Sequence, residues 1–452
     1  MYMKLTFYGG AGSVTGSNYM LESNGTKILI DCGLFQGESF SELKNYEEFE
    51  YDPKSITAVC VTHAHIDHIG RIPQLHKNGF EGRIISTEPT RDFAEALLVD
   101  AEHTMREEAA HHHKKPLYDI NDVNHVMKLW EGFPYHKHVM VGPFDIELYD
   151  AGHVLGSSSI VVTVEGKRIV FSGDLGNTPA PFIHPTEQIP DVDYALIEST
   201  YGDRLHERIP ERTELLEDAI EETVKAGGTL MIPAFALERT QELLFELNEL
   251  TQGGRIPPAP IYVDSPLAIK LTAVYQKYSE DPTYFSEEAI VNFRKKGMFN
   301  FPGLTMSLTV EQSKAINNVE PPKVVIAGSG MSQGGRILHH EQRYLPDPRS
   351  TILFVGYQSY GSLGRKIMEG AKTVRVLGEE VPVRCKVRSI SGYSAHADQN
   401  QLLQWLEPMR EHVKRVFVVQ GEGESSIALA QRMIDALAIE AEVPAANSTV
   451  VL

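Results

Sequence analysis

Short apolar runs ending in polar, glycine-rich turns recur along this chain, and the segments between them change character part-way. Residues 4–8 and 27–31 read as short strands separated by GGAGSVTGSN, and Ala58 to Val61 is another apolar run of strand type. A charged, mostly helical region follows from Thr90 to about Trp130. Strand-like alternation returns over residues 145–177, and YALIES adds one more apolar strand. From about residue 204 the pattern switches. RLHERIPERTELLEDAIEETVKAGG is an amphipathic helix closed by paired glycines, and TLMIPAF, PIYVD, KVVIAGSG and TILFVG each precede a helical segment. Repeated strand-then-helix units predict a parallel sheet with helices on its faces, in a separately cored domain. The tail returns to strands at CKVRSI and RVFVVQ, with a helix over 424–438 and an edge strand or fraying end over 440–452.

Length agrees with that division, because 452 residues with 42% hydrophobic content exceed one ordinary core. No apolar run approaches the roughly 20 residues that span a bilayer, and MYMKLTFYGG lacks the features of a signal peptide. The expectation is a cytoplasmic protein with no membrane partner. Cys32, Cys60 and Cys385 are widely spaced in apolar contexts and read as buried thiols. A net charge of −19 argues against a protein that coats nucleic acid non-specifically, without excluding a local basic cleft.

The chemistry concentrates where apolar runs end. AVCVTHAHIDHIG, residues 58–70, places His63, His65, Asp67 and His68 just past a strand. Side chains two apart on an extended backbone point the same way, so both imidazoles can reach one cation. Asp67 and His68 follow where the chain turns and can address a second position. Imidazole and carboxylate are the ligands of hydrolytic zinc sites, and packing gives no reason for such a cluster. Asp31, His153, Asp174 and Glu198 also stand just beyond strand candidates, as expected of a site built on loops at one sheet edge. His111, His112 and His113 point in different directions on a helix and read as solvated surface. The turns at Gly328–Gly334 and Gly356–Gly364 match neither nucleotide fingerprint. Ser394 and His396 lie in a turn before a helix.

Taken together, Asp31, the HAHIDH run, His153, Asp174, Glu198 in ESTYGDR and His396 in GYSAHAD resemble the metallo-β-lactamase superfamily, specifically its β-CASP branch of zinc-dependent nucleases. GSGMSQGGRILHH is similar to the inserted domain of bacterial and archaeal members and of the eukaryotic pre-mRNA 3′-end endonuclease. The resemblance spans the whole chain and implies an α/β fold. An αββα sandwich over 1–203 and 373–452 would be interrupted by a β-CASP domain with a parallel sheet over 204–372. It further implies that His63, His65 and His153 hold one Zn²⁺, that Asp67 and His68 hold another, and that Asp174 bridges them. Gln420 in VVQGE stands where the family usually has histidine, and an amide is a weak ligand or none. The second position should bind metal less tightly, or take the harder Mn²⁺.

Phosphodiester hydrolysis of single-stranded RNA in a cleft between domains is the activity implied. Metal-activated hydroxide would attack, Asp67 would orient it, His396 oriented by Glu198 would supply a proton, and Ser394 with His396 would contact phosphate. Asp31 would anchor a ligand histidine. A homodimer is a further expectation. Two other readings stand beside this one: an RNA-binding or scaffolding homologue impaired by Gln420, and a small-molecule metallo-hydrolase, which leaves the inserted domain and His396 without a purpose.

Overall fold

The computed structural model describes residues 3–37, 42–112 and 115–452. The side chains of His111, His112 and His113, expected at the surface, lie outside the described residues. By compactness the chain divides into residues 1–205 with 396–452, and residues 206–395.

The first unit holds two seven-stranded sheets. One runs in the order Thr449–Val451, Lys4–Gly9, Asn18–Ser23, Thr26–Ile30, Ala58–Cys60, Arg83–Ser86, Trp130–Gly132. The other runs Ala441–Glu442, Arg415–Val419, Tyr194–Glu198, Lys167–Phe171, Ser158–Val164, Phe144–Asp150, Val139–Val141. Their facing sides share one core, in which Leu5, Phe7, Ile28 and Ile30 meet Ile160, Val162, Phe171 and Phe417. Behind the second sheet, Val170, Ile197 and Val418 pack on Leu402, Trp405, Leu429 and Met433 of the helices Gln399–Leu406 and Gly423–Leu437. The Trp405 indole N–H donates to the Glu187 carbonyl at 3.2 Å, so its bulk is buried without stranding its donor. The helices Glu88–His112 and Ile120–Leu129 pack on the Arg83–Ser86 and Trp130–Gly132 end of the first sheet. The layers are therefore helix, sheet, sheet, helix.

The second unit is built on a six-stranded sheet, ordered Leu304–Met306, Ile261–Val263, Lys323–Ala327, Thr229–Pro233, Thr351–Phe354, Lys386–Ser389, with every pairing parallel. The four expected strand-then-helix units are all present, and the amphipathic helix Ile209–Ala226 stops at Gly227, whose φ of 67° suits a residue without a Cβ.

Two details differ from the sequence reading. The return to the sandwich, expected at residue 373, comes after residue 395, because Lys386–Ser389 pairs with Thr351–Phe354 and keeps that stretch in the second unit. Asn18–Ser23 is a strand paired on both sides, within a stretch read only as a turn and its exit. The last residues supply edge strands to both sheets of the first unit. All three cysteines are buried and free. Among the described residues, no helix is long and apolar enough to cross a membrane.

Candidate metal centre

The centre lies entirely within the first unit, where strands of both sheets end. Strand Ala58–Cys60 leads into Thr62 and His63, and the one-turn helix Ile66–Ile69 carries Asp67 and His68. A glycine is required directly beneath. A Cβ on Gly33 would stand 1.5 Å from the Asp67 carbonyl oxygen, so the two loops touch through main chain alone. The Cys32 N–H donates to the His68 carbonyl at 2.8 Å, and the Ser17 N–H donates to the Asp67 carbonyl at 2.9 Å.

His63, His65, His153 and Asp174 each offer a ligand atom, and these atoms all lie within 4.8 Å of one another. His63 Nε2 is 2.9 Å from His65 Nδ1, and His153 Nε2 is 3.3 Å from the same atom. Asp174 Oδ2 lies 3.4 Å from His63 Nε2 and 3.6 Å from His153 Nε2. Beside this set stand His68, whose Nε2 is 3.3 Å from Asp174 Oδ1, and Asp67, 3.9 Å from the same nitrogen. Gln420 fills out that side: its amide donates to Asp174 Oδ1 at 2.9 Å, and the same nitrogen is 3.1 Å from His68 Nε2.

Asp31 sits behind. Its carboxylate is 2.7 Å from His68 Nδ1 and accepts from the Thr62 N–H at 2.8 Å, the Thr62 hydroxyl at 2.9 Å and the Ser17 hydroxyl at 3.2 Å. Thr62 Oγ1 also lies 3.1 Å from His63 Nδ1. Thr62 and Ser17 were not singled out from the sequence. The available signal was a small hydroxyl residue immediately before the first histidine.

On the far side, His396 Nδ1 is 3.1 Å from Glu198 Oε2 and 3.8 Å from Asp174 Oδ2. Glu198 is fully buried and also accepts from the Leu175 N–H at 2.7 Å, which fixes the carboxylate against the ring. Ser394 belongs to the second unit.

The electrostatics divide the histidines of the centre. Burial opposes charge on His63, and the neighbouring His68 adds to that effect, so its pKa falls well below the ordinary imidazole value and its lone pair is available. Burial opposes charge on His68 and Asp174 too, but here the neighbours win. Asp174, Asp31 and Asp67 raise His68 well above its usual value, while His68, His63 and His396 hold the Asp174 carboxyl well below its own. For His396, burial is outweighed by Glu198 and Asp174, which raise its pKa to about 9. Three imidazoles around an ionised carboxylate, in a buried pocket, form a donor set that fits a divalent cation of the zinc type.

Fold and site together define a metallo-hydrolase of sandwich architecture with an inserted domain. Residues 11–234 match the model of the metallo-beta-lactamase superfamily, 240–367 that of the Beta-Casp domain, and 380–444 that of the Zn-dependent metallo-hydrolase RNA specificity domain. The chain is 40% identical to Ribonuclease TTHA0252 of Thermus thermophilus, over 94% of its own length and 95% of that protein's. It is 32% identical to an RNase J-like protein of Methanocaldococcus jannaschii, covering 97% of each chain. Its identity to the transcription termination factor FttA of Methanosarcina mazei is 31%, over 97% of this chain and 70% of that one. A crystal structure of a protein of unknown function from Enterococcus faecalis shares the fold at a TM-score of 0.55 and 11% identity, covering all of both chains. The chain belongs to the metallo-β-lactamase superfamily, in its β-CASP branch.

Proposed function

We propose that this chain is a metal-dependent ribonuclease that hydrolyses phosphodiester bonds of single-stranded RNA. The observation that carries the reading is the His396–Glu198 pair set against Asp174, an arrangement in which His396 would serve as proton donor beside the metal ligands. The names of its relatives from Thermus and Methanocaldococcus support the same activity. His63, His65, His153 and Asp174 would hold a first Zn²⁺. Asp67, His68 and the shared Asp174 would hold a second, weakened by Gln420 and open to Mn²⁺. When bound, such ions polarise the phosphate and lower the pKa of water.

Within this reading the protein's own groups divide the work. Asp31 fixes the His68 ring through Nδ1, which leaves Nε2 toward the centre. Asp67 orients the attacking water. His396, kept protonated by Glu198, passes a proton to the leaving oxygen. Ser394, two positions earlier in the chain, contacts phosphate. Gln420 also motivates a second reading, a homologue that binds RNA without cutting it.

Incubating the full chain with end-labelled single-stranded RNA, with and without a chelator, separates the two. Cleavage in Zn²⁺ or Mn²⁺ that the chelator abolishes is expected. Tight binding without cleavage in either metal would overturn the nuclease reading.

A further inference from the structure

Within the second unit, Thr373–Val376 and Glu379–Pro382 form a two-stranded hairpin that joins no other strand among the described residues. Leu377 and Gly378 close it with φ of 50° and 85°, the pair of positive angles that a two-residue turn of type I′ requires. Val374, Val376 and Val381 are buried in the core that also holds Ile337 and Ile367, whereas Thr373 and Arg375 are exposed.

The register fixes which main-chain groups are committed. Thr373 pairs with Pro382, which has no N–H, and the next bond along runs from the Val383 N–H to the Lys372 carbonyl at 2.9 Å. Bonded and non-bonded pairs alternate along an antiparallel ladder, so the bonds fall at Val374–Val381 and Val376–Glu379. Thr373 and Arg375 therefore turn their N–H and C=O away from the partner strand, and among the described residues no other main-chain group bonds to them. A strand edge left open in this way is a template for another strand.

That edge borders a groove of about 530 Å³, lined along residues 373–377 and by the apolar side chains of Leu338 and Leu363. Lys366 and Arg375 are the charged residues of the lining, and no carboxylate joins them among the described residues. Glu380 stands opposite Arg375 across the hairpin but does not line the groove. A chain of net charge −19 thus offers a groove of purely positive charge here.

We propose that this groove receives an extended, acidic segment of a partner protein, which adds to Thr373–Val376 as a third strand. Its main chain bonds to the outward N–H and C=O groups of Thr373 and Arg375. Its side chains alternate, so every second one packs toward Leu338 and Leu363, and the acids between them lie in the field of Lys366 and Arg375. The open edge favours peptide over RNA, because a peptide repeats N–H and C=O at the two-residue period that separates Thr373 from Arg375, and a nucleotide chain does not.

The test is fluorescence anisotropy of a labelled, capped hexapeptide that alternates valine with glutamate, titrated with the full chain, R375E and K366E. Both substitutions are at exposed side chains, so the ladder is preserved. Wild type should bind, more weakly as salt rises, and each charge reversal should weaken binding by about fivefold or more. A peptide with lysine in place of glutamate should prefer R375E to wild type. N-methylation of one alternate set of peptide amides should abolish binding, and methylation of the other set should not, because only one set faces the edge. No binding by wild type, binding unmoved by R375E, or equal loss from the two methylated peptides would overturn the proposal. So would a different occupant: single-stranded oligo(A) whose affinity falls in R375E, or a wild-type dimer in sedimentation that R375E dissociates. Because the peptide titration involves neither metal nor RNA cleavage, its result is independent of the ribonuclease reading.

Discussion

Asp174 and Glu341 are both buried acids, and they take opposite protonation states. Asp174 is 4% exposed in the first unit, among His63, His68 and His396, and those imidazoles overcome the cost of burial and keep it ionised. Glu341 is fully buried in the second unit, on the helix Ile337–Tyr344. Burial dominates there, opposed by the Ser332 hydroxyl, and pushes the carboxyl up to about 8. Burial opposes ionisation of both residues, and their neighbours decide the outcome. An acid surrounded by imidazoles stays ionised and so has the charge a metal ligand needs, whereas one with a single hydroxyl stays neutral.

Replacing Asp174 by Asn tests the contrast most severely, since it removes the anion that His63, His68, His153 and His396 converge on. RNA cleavage should fall by more than the roughly 10- to 100-fold typical of residues that act on a metal only through its ligands, with metal content falling in parallel. His396→Gln should cost on the order of 10²- to 10⁴-fold in cleavage rate while metal content stays level. A loss of metal in that variant would show that His396 is a ligand rather than a proton donor. Gln420→His gives the Asp67–His68 side a second imidazole beside His68, and metal quantification should find about tenfold or greater gain in affinity there, with a faster rate. Equal metal and equal rate in both proteins would show that Gln420 is not at the metal.

Glu341→Gln should leave cleavage unchanged and alter only stability. The native carboxyl titrates near 8 and the unfolded one near its ordinary value, so between those values the native state holds the extra proton and wild type loses stability as pH rises. The glutamine variant lacks that loss. Urea midpoints should therefore shift in its favour by about 1.4 kcal/mol per pH unit between about pH 5 and 8. A difference that does not change with pH would mean that Glu341 ionises as freely as an exposed acid.

Most of the centre was legible because its ligands are chemically conspicuous. HAHIDH has no packing rationale, and Asp31, His153, Asp174 and Glu198 each follow an apolar run, so their placement at strand ends could be read directly. Thr62 was not legible in the same way, because a threonine beside a strand is ordinary and its bonds to Asp31 exist only once residues 31 positions apart are brought together. Asn18–Ser23 was obscured by the glycines before it. Lys386–Ser389 was read as a strand of the tail without a partner, because a short strand's pattern does not state which strand it pairs with, and its parallel neighbour is Thr351–Phe354. The all-parallel sheet itself was easy to anticipate, because four apolar runs each lead into a helix.

Gly33 has a consequence for anyone who would redesign this protein. Because its α-carbon rests on the Asp67 carbonyl, the support under two of the site's side chains is main chain on both sides. A screen confined to the residues that face the cation would never sample it, yet Gly33→Ala should displace Asp67 and His68 together while every donor atom is still encoded. Metal preference can be retuned from the open side of the pocket, by exchanges such as those at Gln420, but at Gly33 there is no side chain to exchange.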